Sequence, residues 1–206
     1  MRTIIDAQQH PNTVPTGNEL RMSKLVYINN TSLDGYVEDA SGAFDWSNAD
    51  QVHQFITDLV RPMGTYVYGR RLHETMAYWD APLASYPPEY LDFAEVWQKA
   101  EKIVFSRTLT EATTRKTRIE RDFNPEAIRK LKRESEHDIN IGGAELAGLA
   151  IEADLVDECH LFLHPVILGS GKPAFPATLR RNLELIGTRR FSTGVIHAHY
   201  RILGAR

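Results

Sequence analysis

Residues 139–146 read Ile139-Asn140-Ile141-Gly142-Gly143-Ala144-Glu145-Leu146, and the reading of the whole chain turns on this octet. Its first three residues are β-prone, and Leu146, Leu149 and Ile151 continue at a spacing that suits a helix. A strand that passes through two glycines into a helix has a mechanical use. Glycine lacks the Cβ that holds a ligand off the backbone, and a helix start offers unpaired N–H groups at the positive end of its dipole. Diphosphate is the natural guest of such a turn; a tight strand-to-helix connection with no ligand is the other reading. The spacing is neither the three-glycine dinucleotide fingerprint nor the Walker loop.

Two strand ends upstream share this character. Tyr66-Val67-Tyr68 is a strand stopped by Gly69 and followed by Arg70-Arg71, and Lys102-Ile103-Val104-Phe105 is a strand followed by Ser106-Arg107-Thr108. Ligands of open α/β sheets sit outside the carboxyl ends of the strands. A guanidinium fork there matches phosphate oxygens, although each arginine taken singly is also an ordinary solvated charge. Three such ends in one chain point to a phosphorylated nucleotide.

Working further out, Leu25-Val26-Tyr27-Ile28 is a first strand ending at Asn29-Asn30. Val52, Phe55, Ile56, Leu59 and Val60 line one face of a helix. Pro87-Pro88-Glu89 and Asn124-Pro125-Glu126 open two more helices, the second with an asparagine cap. Strands at 158–166, 183–186 and 195–202 then follow one another without long helices. This order is that of an α/β protein, a mostly parallel sheet finished by an antiparallel C-terminal edge. Residues 1–22 are polar and punctuated by Pro and Gly, so they read as a flexible N-terminal extension, with a single domain over 23–206.

Composition narrows the class. With 24 Lys and Arg against 27 Asp and Glu, the net charge of −3 gives no reason to expect a nucleic-acid or membrane-surface partner. No apolar run approaches the roughly 20 residues of a membrane helix, and the N-terminus lacks the apolar core of a secretory signal. One cysteine, Cys159, excludes an intramolecular disulfide and a cysteine-based zinc cluster. A cytoplasmic protein is the expectation.

Single residues carry two readings. Asp34 in Ser32-Leu33-Asp34-Gly35-Tyr36 is a turn former, and Asp50, three residues after Ser47, suits a capping-box-like helix start. Either acid at the mouth of a ligand cleft could instead hold the N–H groups of a pterin or pyrimidine ring, or assist protonation beside a hydride-accepting carbon. His160 and His164 share one strand face, as do His197 and His199, and they read as sheet-surface histidines. A metal site would need a third ligand and supporting partners, which the sequence does not indicate, so no metal is expected. Ser170 in Gly169-Ser170-Gly171 reads as part of a turn, not a nucleophile elbow.

Taken together and in order, the Ser32-to-Tyr36 turn, Gly69-Arg70-Arg71, Phe105-Ser106-Arg107-Thr108 and Ile141 to Leu146 resemble the dihydrofolate-reductase-like superfamily. Leu155-Val156-Asp157-Glu158 and Pro165-Val166-Ile167-Leu168-Gly169-Ser170-Gly171 extend the likeness, which covers residues 24 to 202. The pattern is most like the branch holding the reductase domain of the riboflavin-pathway bifunctional deaminase-reductase, here as a free-standing member. The resemblance implies a three-layer sandwich with about eight strands and NADPH bound across the strand ends. It assigns the adenosine phosphates, including the 2′-phosphate, to Gly69, Arg70, Arg71, Ser106 and Arg107, with Thr108 beside them. It assigns the diphosphate to Ile141, Gly142 and Gly143, with Ala144 and Glu145 at the helix start. The loop bearing Asp34 is expected to cover the nicotinamide.

The proline-rich turn that precedes an acidic helix residue in true dihydrofolate reductases is missing; Trp46 and Asp50 stand in similar places. Asp50, then Asp34, are the candidate catalytic acids, and Trp46 is a packing wall for substrate. The implied function is an NADPH-dependent oxidoreductase that reduces a small heterocyclic, pterin- or pyrimidine-like, or carbonyl substrate. The competing readings are the riboflavin-pathway 5-amino-6-(5-phosphoribosylamino)uracil reductase and a non-catalytic NADPH-binding or regulatory module. A homodimer is expected, since a two-fold dimer is the commonest soluble assembly.

Overall fold

The computed structural model describes residues 22–47 and 50–204. The expected N-terminal extension, Met22 apart, lies outside the described residues. The middle layer is an eight-stranded sheet. β1 (Leu25–Ser32), β3 (Thr65–Gly69), β4 (Glu101–Phe105), β5 (Thr117–Glu120), β6 (Ile139–Gly142) and β7 (Glu158–His164) pair in parallel. β10 (Ile196–Ile202) pairs antiparallel with both β7 and β9 (Leu183–Arg190). The order across the sheet is β5-β4-β3-β6-β1-β7-β10-β9, and β2 (Tyr36–Asp39) and β8 (Gly171–Pro173) form a separate pair. The mostly parallel sheet with an antiparallel C-terminal edge is therefore as the sequence implies.

Helices cover both faces because the strands are apolar on both. Leu25, Tyr27, Val67, Ile103, Ile139 and Ile141 pack against α4 (Pro125–Glu134) and α5 (Ala144–Glu152). Val26, Tyr66 and Tyr68, one residue out of phase, face α1 (Asp50–Val60) and α3 (Pro88–Lys99), where Trp97 is wholly buried. Each such side chain contributes roughly 1.5–3 kcal/mol on burial. The Asn124 side chain accepts the Glu126 N–H at 2.9 Å and caps α4 as its sequence suggests, an interaction typically worth about 1 kcal/mol. No helix among the described residues is long and apolar enough to cross a membrane.

The differences from the sequence reading have physical causes. β1 continues past Asn29 to Ser32 because every residue from Val26 to Ser32 pairs with β7, so the ladder satisfies a polar stretch. β2, β5 and β8 are short and lack a long apolar run, and the sequence reading passes over them. Arg70 and Arg71 lie in the first turn of a helix, α2 (Arg70–Met76), a segment to which the sequence pattern assigns no element. Its buried residue is His73, with Leu72 and Met76 partly buried against the core beside it.

Candidate functional site

The sheet order sets β4, β3 and β6 side by side, with β1 next to β6. Register pairs Gly69 with Phe105 and Tyr68 with Gly142. The three strand ends singled out in the sequence therefore finish together at one edge. Both α2 and α5 begin there, and neither has a side-chain cap, unlike α4. Their first-turn N–H groups are left for another acceptor. The two glycines serve different ends. Gly142 is packed, since a Cβ there would lie 2.4 Å from Leu72 Cδ2. Gly143 has φ +92°, a conformation side-chain-bearing residues avoid, and a Cβ there would approach the Gly69 N at 3.6 Å.

Basic and hydroxyl groups flank this edge. Arg70 donates from Nε to Glu74 at 2.6 Å and from a terminal nitrogen to Thr108 Oγ1 at 2.6 Å, which ties the end of β3 to that of β4. Ser106 is buried, and its Oγ accepts the N–H of Leu109 at 2.9 Å and of Thr108 at 3.3 Å. Its own proton has no acceptor among the described residues and is left for an anion. Arg107 is largely exposed and pairs with Asp122 at 2.6 Å. Nothing local in the sequence marks Asp122, because only the fold brings it opposite Arg107.

The β2–β8 pair overhangs the same edge and is clasped by Asp34. The Asp34 carboxylate accepts the Ser32 hydroxyl at 2.7 Å and the N–H groups of Gly169 at 2.7 Å and Leu168 at 3.1 Å. The Ser32 hydroxyl is the largest influence and holds this carboxyl below its ordinary range; desolvation opposes it, and the Gly169 and Leu168 N–H groups add to the lowering. Two sequence signatures, 32–36 and 165–171, are thus one hydrogen-bonded device. Its fit is close: a Cβ on Gly171 would stand 2.0 Å from the Glu38 carbonyl. Between this overhang and helices α2 and α5 lies a cleft of about 950 Å³, lined by Glu38, Ser41, Arg71, Glu74, Glu145 and Lys172 among others. Lys172 pairs with Glu145 at 2.9 Å and reaches Glu38 at 3.8 Å, latching β8 to the start of α5. The Lys172 ammonium holds the Glu145 carboxyl below its ordinary range.

A second region lies beyond β1, on the α1 side. Trp46 stands edge-on to His164, with ring centroids 5.6 Å apart, and its indole N–H is buried with no partner among the described residues. His164 is buried at the end of β7, its Nε2 lies 3.0 Å from Asn30 Oδ1, and burial keeps it below the ordinary imidazole value. Asp50 is the exposed first residue of α1, and its charge opposes the burial that lowers His53. His53 packs on Trp79, Tyr90 and Phe93. The Ser47 hydroxyl donates to the Phe44 carbonyl at 2.7 Å and is not seen capping α1. The structure thus gathers the phosphate-side residues at one edge, puts Trp46 with His164, and gives Asp34 and Asp50 separate surroundings.

Three of the histidines read as sheet-surface residues are buried: His160, His164 and His197. Burial arises because the face they share is roofed by α1 and its neighbours, which strand periodicity alone does not report. Ser170 lies in the turn held by Asp34, as the sequence suggests.

Comparison with known proteins agrees with this geometry. Residues 23–197 match the family model described as the RibD C-terminal domain. The chain is 34% identical over 185 residues to the uncharacterized protein YyaP of Bacillus subtilis (strain 168), covering 89% of this chain and 97% of that protein. Among solved structures, it superposes with a TM-score of 0.70 on a putative riboflavin biosynthesis protein from Shewanella sp. PV-4, at 21% identity over 87% of this chain and 99% of the other. Dihydrofolate reductase from Enterococcus faecalis, complexed with NADP(H), shares the fold at a TM-score of 0.60 and 13% identity, covering 87% and 96% of the two chains.

Proposed function

Because the chain belongs to the RibD C-terminal domain family, we propose that it is an NADPH-dependent reductase acting on a small heterocyclic, pterin- or pyrimidine-like, or carbonyl substrate. The observation that carries this reading is the convergence of three strand ends, two uncapped helix starts and three arginines on one edge of the sheet. That donor set fits a dinucleotide carrying an extra phosphate. Arg70, Ser106 and Arg107, with Gly69 and Thr108 beside them, would hold the 2′-phosphate. Ile141, Gly142, Gly143 and Ala144 would present backbone to the diphosphate, with Arg71 and Glu145 at its flank. When bound, the cofactor supplies the hydride.

The chain's own residues orient and enclose. The Asp34 clasp sets the height of the overhang above the cleft and so helps exclude water. Trp46 walls the substrate side and offers its indole N–H, while the His164–Asn30 pair fixes the floor beneath it. Asp50, exposed at the start of α1, would be the acid that passes a proton to the reduced centre. A homodimer in the cytoplasm belongs to the same reading; β9, an edge strand, leaves Leu183, Leu185 and Ile186 exposed, which supports pairing with a second copy. A single-chain mass in sedimentation would remove the dimer.

The test is a fluorescence titration with NADPH and NADH in parallel. Micromolar NADPH binding with NADH at least tenfold weaker is expected, followed by oxidation of NADPH with one member of a panel of pterins, pyrimidines and carbonyls. Binding to neither cofactor overturns the proposal. Tight binding without turnover across the panel replaces the reductase with a nucleotide-binding module.

A further inference from the structure

The far half of β7 carries a group of side chains that the reductase reading does not use. Glu158 and His160 project from one face of β7, and His199 of β10 sits directly opposite His160 in the antiparallel register. Glu158 and His160 are buried, and the His199 side chain is 21% exposed. His199 Nε2 lies 3.0 Å from Glu158 Oε2, and one donor atom from each of the three residues falls within 4.8 Å of the other two. The second carboxylate oxygen receives Lys24 Nζ at 2.7 Å. Behind the group, His160 Nδ1 meets His197 Nε2 at 2.9 Å, and the His160 and His199 rings stack at 3.9 Å.

Two imidazoles and a carboxylate are an expensive way to fill a covered sheet face if packing is their only purpose, since each polar group must find a partner to offset its lost hydration. They are the donor set of an open transition-metal site, three protein ligands with a fourth position for water. A tetrahedron with bonds of about 2.0–2.1 Å has edges of roughly 3.3 Å. The Glu158–His199 separation already fits such an edge. The His160 and His199 rings lie nearly parallel, at 18°, so His199 must turn out of this stack to aim a nitrogen lone pair at the same ion, a rotation its partial exposure allows. Two nitrogens and one carboxylate suit zinc, cobalt or nickel and not the all-oxygen preference of magnesium or calcium. The His160–His197 contact is the kind of outer hydrogen bond that orients a ligating imidazole.

We propose that Glu158, His160 and His199 bind one divalent transition-metal ion of the zinc class per chain, with His197 orienting His160 and the ion fastening β10 to β7. The site is separate from the cofactor edge. Glu158 begins β7 whereas His164 ends it, six residues and about 20 Å away along the strand. Lys24 is a built-in competitor for the carboxylate, so removing its ammonium should strengthen binding.

The experiment uses the full chain, treated with chelator, dialysed and titrated with zinc chloride by calorimetry and with cobalt chloride by visible absorption. One ion per chain at micromolar affinity or better is expected, with the intense visible bands of low-coordinate cobalt and no response to magnesium chloride. Glu158→Gln and His199→Gln should each weaken zinc at least tenfold, Lys24→Met should tighten it, and His137→Ala, an exposed histidine on another element, should leave it unchanged. Because substitutions in a covered face can disturb folding, the wild-type cobalt form is also read by proton NMR, where two shifted imidazole N–H resonances are expected. No ion bound, no shifted imidazole resonance, or zinc affinity untouched by Glu158→Gln and His199→Gln together would each overturn the site.

Discussion

Replacing Arg107 by alanine isolates the contact on which cofactor choice depends. In the structure its Nε and one terminal nitrogen both address a single oxygen of Asp122, at 2.7 and 2.6 Å. The two side chains are 82% and 67% exposed. An exposed pair of this kind contributes roughly 0.2–1 kcal/mol, so Arg107 can turn to a phosphate at little cost, and its loss should leave the fold intact. Hydrogen bonds to charged groups are worth about 1.5–3 kcal/mol each. Two of them, less the surrendered ion pair and the solvent screening of an exposed site, leave about 2–3 kcal/mol. At about 1.4 kcal/mol per tenfold, Arg107→Ala should weaken NADPH by roughly 30- to 150-fold. NADH, which lacks the 2′-phosphate, should change less than about threefold. The assay is parallel fluorescence titration at one fixed ionic strength, because exposed electrostatics are screened by salt, with a melting curve for each variant. Asp122→Asn supplies the converse, releasing Arg107 and tightening NADPH modestly. Equal losses for both cofactors, or no loss for NADPH, would refute the assignment of the 2′-phosphate to this strand end.

Gly171→Ala should detach the β2–β8 overhang, because the new methyl would stand 2.0 Å from the Glu38 carbonyl and backbone must move to admit it. Overpacking of this sort costs roughly 1–3 kcal/mol, and faster amide exchange confined to β2, β8 and the Asp34 clasp is the expected signature; unchanged exchange would count against the clasp. Lys102 is buried with its ammonium donating to the carbonyls of Trp97 and Ala100 at 3.1 and 3.0 Å. Burial pushes it down from 10.5 to about 8, with Asp80 and Glu101 opposing. The folded state therefore sheds this proton before the unfolded state does, and stability relative to Lys102→Met should rise as pH climbs from 8 to 10.5. Denaturant midpoints for the two proteins across that window check the sign, and a flat or falling difference would contradict it.

Much of this protein could be read before folding was considered. The Ile141-Gly142-Gly143 turn, the arginines after β3 and the Ser106-Arg107 end are legible because each rests on local chemistry: a missing Cβ, a guanidinium fork, a strand stop. The amphipathic spacing of α1 and the asparagine cap of α4 are local in the same sense. What the chain order does not state is that these ends are neighbours. β6 inserts between β3 and β1 although more than a hundred residues separate it from β1, and that insertion alone sets Gly143 beside Gly69. The same holds for Asp34, whose turn is local but whose partners, Leu168 and Gly169, lie 134 and 135 residues away. Burial is likewise a property of the assembled layers. Period-two spacing puts Glu158 and His160 on one face of β7, but only pairing of β7 with β10 brings His199 opposite them. Local sequence determined the apolar strands, the helices with amphipathic spacing or caps, and the phosphate-suited ends. Only tertiary structure, through strand order and long-range hydrogen bonds, decided which of those ends face one ligand and which polar side chains share a covered face.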